Sequence, residues 1–439
     1  MFRKLFLLTL TALLVLLVPL AIAQQNEPIT ITYSTWATGP SLDPDLAAIE
    51  GFQELFPNVN VEIEIRTGSD WAEINNQILV RMAAGTAPDL ILTAENWALN
   101  YVGAGIMNLR PFIEGENGFD PYELFYPRVY ETGLINGEPY YLTKDYATIA
   151  FLYNRDLFDA AGVPYPQEGW TYDDMLDAAL QLTIDSNGNN ALSPDFDPDN
   201  IAQYGLWAPA WPRAFQAIAR SFGAVSISPD GSQTSGYVNS PEYIQAAEFY
   251  RDLVHRYKVS PTPATLQAQP GVDPFRNGSI AMRGWYGPWL LTTYNETPGL
   301  NFGVAPLPVG PEGPANVICQ AFFGINETTA HPEETWELLR YLAAGPGQLQ
   351  YGAFALPTMP SVAEELGIPE DPQRGVFLAG VEHIAPLDDM TTPLYAECVD
   401  ARISQFMSFI LSEEGADADI AELLNTLAEQ ADTCIARGA

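Results

Sequence analysis

Basic residues are scarce in this chain of 439 residues. Lysine and arginine together number 19, against 55 aspartates and glutamates, so the formal net charge is −36 at pH 7. Lys144 and Lys258 are the only lysines after the first 23 residues. A surface of this sign repels the phosphates of nucleic acids and of anionic membranes. The composition therefore argues against nucleic acid as a partner and predicts a solvated acidic surface.

Histidine and cysteine are equally rare, with three residues of each. They are His255, His331, His383, Cys319, Cys398 and Cys434. The cysteines lack the spacing of a zinc site, and no Ser-His-Asp set, P-loop or GxGxxG motif is present. We therefore expect no cofactor, no metal and no catalytic residue.

One polar segment resembles a calcium-binding loop. Asp185, Asn187 and Asn189 offer oxygen ligands at the first, third and fifth positions. The sixth position is Asn190 where the loop needs glycine, and the twelfth is Phe196 where it needs glutamate. A polar turn without a metal is therefore expected.

A long hydrophobic run occurs only at the N-terminus. Two basic residues precede an apolar run from Leu5 to Leu20, and Ala21-Ile22-Ala23 supplies small residues at a cleavage position. This pattern predicts a secretory signal peptide over residues 1–23. A membrane anchor is the alternative, but the run is short and interrupted by Pro19. No cysteine follows the cleavage position to accept a lipid, so we expect a free, periplasmic or secreted protein without membrane insertion.

Strands and helices alternate from Ile29 onward, which is typical of an α/β fold with helices on the faces of its sheets. The predicted strands are Ile29 to Tyr33, Val59 to Ile65 and Asp89 to Leu92, and the predicted helices are lined by Leu46 to Phe56 and by Ile74 to Met82. The chain is too long for one ordinary hydrophobic core, so two lobes are expected.

The stretch from Gly133 to Thr183 carries several agreeing local signals. Tyr146 to Tyr153 is a short apolar run that predicts a strand covered on both faces. Asn154 then starts a short helix that ends at Gly162, and Thr171 caps a second helix. We interpret the strand as a crossover between the two lobes, with Asn301 to Val304 crossing back.

Together these residues resemble the family 1 extracellular solute-binding proteins, which deliver mostly sugars to ABC importers. The resemblance rests on Tyr153-Asn154, Leu157-Phe158, Ala161-Gly162 and Trp170-Thr171, and on the segments Arg81 to Leu92, Phe275 to Met282 and Val304 to Gly313. It implies an α/β, two-lobe periplasmic binding protein type II fold, in which discontinuous lobes are joined by crossover hinge segments.

The resemblance also implies an organisation and a function. Residues 24–147 and 304–330 would form the N-terminal lobe, and residues 148–303 and 331–439 the C-terminal lobe. A monomer would close on a carbohydrate, either a mono- or an oligosaccharide, and present it to the permease subunits of an ABC transporter. Such a protein is not an enzyme.

Ligands of open α/β sheets bind beyond the carboxyl ends of the strands, and the residues predicted there are aromatic or acidic. The candidates are Trp36, Asp70, Glu95 and Trp97 on one lobe and Trp211, Trp285 and Tyr286 on the other, with Trp207 and Trp289 in the same segments. Aromatic rings pack on the C–H faces of a pyranose, while carboxylates pair with its hydroxyls. These residues predict a sugar site.

Asp145 and Gln320 complete the predicted set. The resemblance places a ligand-contacting acidic residue at Asp145, and a hinge salt bridge with Lys144 is the competing interpretation. Gln320, with Cys319, stands where members of the family often have small residues.

Three other functions compete with sugar binding. Relatives that bind glycerol phosphodiesters are known, and an aromatic box suits a quaternary ammonium solute. Glu95 and Asp145 would serve as the carboxylate pair of a secreted glycoside hydrolase if about 5 to 9 Å separated them.

The C-terminal cysteines are expected to pair in an oxidising compartment. Two helices, Glu397 to Leu411 and Asp419 to Ala436, form an antiparallel hairpin whose ends carry Cys398 and Cys434. The hairpin favours a disulfide between these two and leaves Cys319 as a free thiol.

Overall fold

The computed structural model describes residues 28–68, 71–116, 118–268, 271, 273–385 and 387–438. The predicted signal peptide over residues 1–23 and the site candidate Asp70 lie outside the described residues. Among the helices described, none has both the length and the apolar character required to cross a membrane.

In the part of the chain that the structure describes, ten strands form two five-stranded sheets, and we call each sheet with its helices a lobe. The first sheet has the order β2-β1-β3-β10-β4, with β1 Ile29–Thr35, β2 Val59–Ile65, β3 Leu90–Ala94, β4 Leu142–Thr148 and β10 Ile318–Ile325. The second has the order β6-β7-β8-β5-β9, with β5 Ala150–Asn154, β6 Ile184–Asp185, β7 Ile201–Trp207, β8 Ile280–Tyr286 and β9 Phe302–Ala305. Each sheet mixes parallel and antiparallel pairs, which confirms the predicted α/β class.

The α-helices cover the faces of both sheets. In the first half of the chain they are α1 Asp43–Leu55, α2 Trp71–Ala83, α3 Glu95–Ala104, α4 Arg110–Ile113, α5 Pro121–Leu124, α6 Pro127–Thr132, α7 Arg155–Ala161, α8 Tyr172–Leu182 and α9 Pro212–Ser221. The later ones are α10 Pro241–His255, α11 Pro263–Gln267, α12 Leu291–Asn295, α13 Pro332–Ala344, α14 Gln348–Phe354, α15 Pro360–Glu365, α16 Arg374–Ala379, α17 Ala401–Ile410 and α18 Ile420–Gly438.

Local signals in the sequence place several helix ends correctly. The side chain of Asn154 accepts a hydrogen bond from the amide of Leu157 at the start of α7, and Gly162 ends that helix with φ 68°. Thr171 forms a capping box with Asp174 at the start of α8. These interactions involve residues no more than three positions apart, so the sequence pattern is sufficient to predict them.

The crossover from one lobe to the other is shorter than predicted. β4 belongs to the first sheet and β5 to the second, and Ile149 alone separates them. The side chain of Asn316 accepts a hydrogen bond from the amide of Ile149, at 3.1 Å, and donates one to its carbonyl, at 2.9 Å. The predicted strand from Tyr146 to Tyr153 is therefore two strands, because the backbone leaves one sheet for the other at a residue bonded by a side chain.

The return crossing lies further along the chain than predicted. β9, which includes most of the segment from Asn301 to Val304, pairs with β5 and stays in the second sheet. The chain crosses in the irregular segment 306–317 and enters the first sheet at β10. Asn316 lies in this segment, so the two crossings are bonded to each other.

The predicted lobe boundaries stay a prediction, but the packing of two helices differs from them. Trp336, Leu339 and Tyr351, on α13 and α14, share a hydrophobic core with Tyr33 and Phe323 of the first sheet. Residues 332–354 therefore cover the first lobe, whereas the sequence assigned them to the second. The apolar faces of these helices do not encode which of two sheets they cover.

The C-terminal helices α17 and α18 pack in the core of the second lobe. Cys398, just before α17, and Cys434, on α18, form a disulfide with 5.5 Å between their Cα atoms. Cys319 is the free cysteine and lies on β10.

Candidate ligand-binding site

A cavity of about 570 Å³ lies between the two lobes. The first lobe lines it with Trp36, Glu95, Asn96, Asp145 and Gln320, and the second with Trp211, Arg213, Gln216 and Ser226. Trp289, Phe354, Asp388, Asp389, Tyr395 and Asp400 also contribute. Trp36 follows β1 and Glu95 follows β3, so the cavity opens at the carboxyl ends of these strands, as expected of an α/β sheet.

Arg213 is the centre of the charged network in this cavity. Its Nη2 lies 2.7 Å from Oε1 of Glu95 and 2.6 Å from Oδ2 of Asp389. The three side chains are 12%, 9% and 3% exposed, so this network is buried. Pro212 begins α9 and places Arg213 in its first turn, from which the guanidinium reaches the other lobe.

A second ion pair supports the first. Arg220, about two helical turns beyond Arg213 on α9, pairs with Asp388. Asp388 also accepts hydrogen bonds from the amide of Ser226, at 3.0 Å, and from its hydroxyl, at 2.6 Å. α9 therefore holds the two consecutive aspartates 388 and 389 with two arginines.

Burial raises the pKa of Glu95 to about 7, although the charge of Arg213 opposes the shift and that of Asp389 reinforces it. The amide of Gln320 donates to the other oxygen of Glu95, at 3.0 Å. Burial also raises the pKa of Asp400 to about 6, again opposed by Arg213. The cavity wall thus carries carboxyl groups that release their protons near neutral pH.

Asp145 lines the cavity from the end of the first sheet. Lys144 lies 2.9 Å from Asp45 and 4.0 Å from Asp145, so the lysine pairs mainly with Asp45. Burial raises the pKa of Asp145 to about 6, and Lys144 opposes that shift. The carboxyl group of Asp145 therefore lies on the cavity wall, and its contact with Lys144 is the longer of the two ion pairs that this lysine forms.

Aromatic rings approach the cavity from both lobes. Trp36 lies on the first lobe, with the guanidinium of Arg66 5.4 Å from its ring. Trp211 and Trp289 lie on the second lobe in an edge-to-face pair, with 6.3 Å between ring centroids. A planar ligand face placed in the cavity would meet indole rings on two sides.

Two of the predicted tryptophans are in hydrophobic cores, which corrects the prediction for them. Trp285 is fully buried against Phe151 and Tyr250. Trp97 is buried in the first lobe, while Glu95, two positions earlier, lines the cavity. Residues two apart on an α-helix point about 200° apart, so Glu95 and Trp97 cannot both face the cavity.

For two further candidates, Tyr286 and Gln320, the position of the side chain differs from the prediction. Tyr286 lines a neighbouring cavity and not this one. Gln320 lies on the wall, but its side-chain amide bonds to Thr132, Thr143 and the carbonyl of Val129. Gln320 therefore acts through its backbone amide, which positions Glu95.

The sequence prediction missed four charged residues that also line the cavity, which are Arg213, Asp388, Asp389 and Asp400. Arg213 had one available signal, since it is among few basic residues and follows a Trp-Pro pair at a helix start. Asp388, Asp389 and Asp400 had none, because acidic residues are abundant throughout the chain.

Comparison with known proteins identifies the family. The sequence profile described as Bacterial extracellular solute-binding protein matches residues 37–348. The maltotriose-binding protein of Pyrococcus abyssi is 25% identical over 347 residues, which are 76% of this chain and 67% of that protein.

Solved structures show the same fold. An ABC substrate-binding protein of Listeria monocytogenes in complex with cycloalternan has a TM-score of 0.78 at 21% identity, covering 93% of this chain and 100% of that one. The sugar-binding protein MalE of Xanthomonas citri has a TM-score of 0.75 at 19% identity, covering 93% and 98%. The two-lobe architecture is therefore that of the periplasmic binding proteins, and the chain belongs to the bacterial extracellular solute-binding proteins.

Proposed function

We propose that this protein captures a carbohydrate by closing its two lobes around it and delivers it to the permease of an ABC transporter. One observation carries the proposal: Trp36 on the first lobe and Trp211 on the second lobe line the same cavity. Pyranose rings present apolar faces to such indoles, and their hydroxyls pair with carboxylates such as Glu95 and Asp145.

The relatives support a saccharide as the ligand. One of them is a maltotriose-binding protein, and the complex from Listeria monocytogenes contains cycloalternan. Both proteins are no more than 25% identical to this chain, so we infer from them only the class of ligand, a saccharide, and not a particular sugar.

Closure would follow from binding by population shift. The lobes are joined at Ile149 and through the segment 306–317, and Asn316 bonds these crossings together. A ligand that contacts both lobes stabilises the closed state, because the open state lacks half of those contacts. The closed monomer, in the periplasm or outside the cell, is the form that we propose the permease recognises.

A cationic solute is the second candidate, because the cavity wall is acidic. Glu95, Asp145, Asp388, Asp389 and Asp400 line it, and Arg213 is the basic residue among the described lining. Tryptophans and carboxylates together suit a quaternary ammonium group. The same acidity disfavours a glycerol phosphodiester, whose phosphate would meet five carboxyl groups.

The test is a binding titration of the purified protein after removal of carried-over ligand. Isothermal calorimetry and the melting temperature would be followed with glucose, maltose, maltotriose, glycine betaine and glycerophosphocholine, and the same samples assayed for hydrolysis products. We expect saturable binding of a saccharide, with a rise in melting temperature and no product.

Variants locate the binding in the cavity. We expect Trp36→Ala and Trp211→Ala each to weaken saccharide binding about tenfold or more, since each removes one stacking face. Tyr122→Ala serves as the matched control, because Tyr122 is an exposed aromatic residue outside this cavity. Binding of glycine betaine alone would support the cationic solute, and release of product would support the glycoside hydrolase.

A further inference from the structure

A second cavity, of about 470 Å³, adjoins the one between the lobes. Trp211 and Trp289 line both cavities, so the two spaces share an aromatic wall. The rest of the second cavity comes from the segments 207–210, 261–267 and 283–286, all from the second lobe. It therefore exists independently of how the two lobes approach each other.

Part of the wall of this second cavity is a stack of two aromatic rings on the guanidinium of Arg283. The guanidinium of Arg283 lies 4.3 Å from the ring of Trp207 and 4.2 Å from the ring of Tyr286. Asp273 forms an ion pair with this guanidinium, with 2.8 Å between Oδ2 of Asp273 and Nη1 of Arg283. The side chain of Arg283 is 8% exposed. Two flat rings are thus held in place by a buried cation, as cation–π contacts favour.

The chain after β8 brings the remaining rings to the same wall. Tyr286 ends β8, and the rings of Tyr286 and Trp289 are 5.6 Å apart. A Cβ atom on Gly287 would lie 2.0 Å from the indole of Trp289, so only glycine allows this ring to fold back over the backbone. The GWYGPW segment (284–289) therefore serves to place Tyr286 and Trp289 side by side.

The two cavities differ in charge. The first is lined by five carboxyl groups, whereas the second has no acidic residue among the described residues that line it. Arg283 is the charged residue among the described lining, and Gln267 and the hydroxyl of Tyr286 are uncharged polar groups there. Contacts in the second cavity would therefore be stacking on aromatic faces, with few charged hydrogen bonds.

We propose that the ligand is an oligosaccharide, and that its outer units occupy the second cavity while its first units lie between the lobes. This inference rests on the proposed function and specifies its substrate class. Trp211 and Trp289 line both cavities, so the two spaces lie side by side, and the rings of Trp207 and Tyr286 beside Arg283 offer flat faces to further pyranose rings. The second cavity is a chain-length selector, because a single sugar cannot occupy both.

The experiment compares saccharides of increasing length on the full protein. Calorimetric titrations would use the α-1,4-linked glucose series from one to six units, together with the β-1,4-linked series. Gln267→Trp fills the second cavity from the exposed helix α11 and leaves the first cavity unchanged. Ala264→Trp is the control, because it adds the same ring to an exposed position on α11 that lines neither cavity.

In the parent protein we expect affinity to rise about tenfold or more once the saccharide is long enough to reach the second cavity. Gln267→Trp should lose that gain and keep the affinity for the shortest ligand, while Ala264→Trp behaves like the parent. Trp207→Ala should lose part of the gain without filling the cavity.

Two results would overturn the inference while leaving the proposed function in place. One is an affinity that does not change with length, and the other is a Gln267→Trp variant that binds the longest saccharide as the parent does. If no saccharide binds the parent at all, the proposed function fails and the inference fails with it.

Discussion

The guanidinium of Arg213 lies 2.7 Å from the carboxylate of Glu95, and this ion pair joins the second lobe to the first across the cavity between them. The same guanidinium binds Asp389, in a short 3₁₀ turn at residues 388–390. One guanidinium thus forms ion pairs with two buried carboxylates from different parts of the fold. We therefore expect the stability of the lobe contact, and its response to pH, to depend on this network.

Removing the guanidinium should destabilise the protein. Arg213→Gln leaves Glu95 and Asp389 buried without their cation, and we expect the free energy of unfolding to fall by about 3 kcal/mol. Urea unfolding followed by tryptophan fluorescence measures this change. Arg340→Gln is the control, because its pair with Glu337 is 39% and 23% exposed, and a loss below about 0.5 kcal/mol is expected there. Equal losses in the two variants would contradict the assignment.

Stability should increase as the pH falls from 7.5 to 5. Burial raises the pKa of Glu95 to about 7 and the pKa values of Asp145 and Asp400 to about 6, whereas the unfolded chain releases these protons near pH 4. Between these values the folded protein binds more protons than the unfolded chain, so the free energy of unfolding falls as the pH rises through this window.

We expect a difference on the order of 2 kcal/mol between pH 5 and pH 7.5, measured by urea unfolding at each pH. Glu95→Gln should reduce the slope, because glutamine does not titrate. Below pH 4 the trend should reverse, because burial raises the pKa of Asp185 but the hydrogen bonds from Asp197, Asn189 and Asn187 together outweigh burial and lower that pKa to about 2. A slope that is identical in the parent and in Glu95→Gln would show that Glu95 is not its source.

The hinge should depend on Asn316. This side chain bonds both backbone groups of Ile149, at 3.1 and 2.9 Å, where the chain passes between the lobes. Asn316→Ala leaves the buried amide and carbonyl of Ile149 without these partners, which should cost about 2 kcal/mol in the free energy of unfolding. Small-angle X-ray scattering should also show a larger radius of gyration without ligand, because the two crossings are no longer bonded.

Asn301→Ala is the matched control for the hinge variant. Asn301 donates one exposed hydrogen bond, to Asp156 at 2.7 Å, and should be nearly neutral in both measurements. An unchanged unfolding free energy in Asn316→Ala would contradict a structural role for that side chain at the crossing.

The disulfide should stabilise the C-terminal helices. Cys398 and Cys434 close a loop of 36 residues, and losing the bond should lower the free energy of unfolding by about 3 to 4 kcal/mol. Unfolding with and without dithiothreitol measures the effect. The Cys398→Ser/Cys434→Ser double variant should be insensitive to the reductant. Cys319→Ala should respond as the parent does, so a reductant effect that vanishes in Cys319→Ala would point to the wrong cysteine.

Helix ends and strand positions could be predicted because their causes are local. Asn154, Gly162 and Thr171 act on backbone groups at most a few residues away, and Val59 to Ile65 alternates as a strand. The family, too, follows from short segments in a fixed order, and the match over residues 37–348 confirms it. The sheet to which α13 and α14 belong could not be predicted, since an apolar helix face packs on either lobe.

The site was only partly predictable, and neighbouring residues show why. Position after a strand was enough to identify Trp36 and Glu95 as residues on the cavity wall. The same rule failed for Trp97, which the helical turn directs into the core, and for Trp285, which is buried beside Tyr286. The direction in which a side chain points depends on its position around the helix or strand axis. An aromatic side chain is favourable both in a hydrophobic core and on a cavity wall, so residue type does not decide between them.

By itself the sequence determined the acidic surface, the helix boundaries, the alternation of strands and helices, and the family. Only the tertiary structure decided that Arg213 meets Glu95, which is 118 residues away, and Asp389, which is 176 away. Propensity and capping act within one or two turns of the chain, whereas these contacts exist because separately packed parts of the fold converge on one cavity. Burial in that cavity, and not residue type, raises the pKa of Glu95 to about 7.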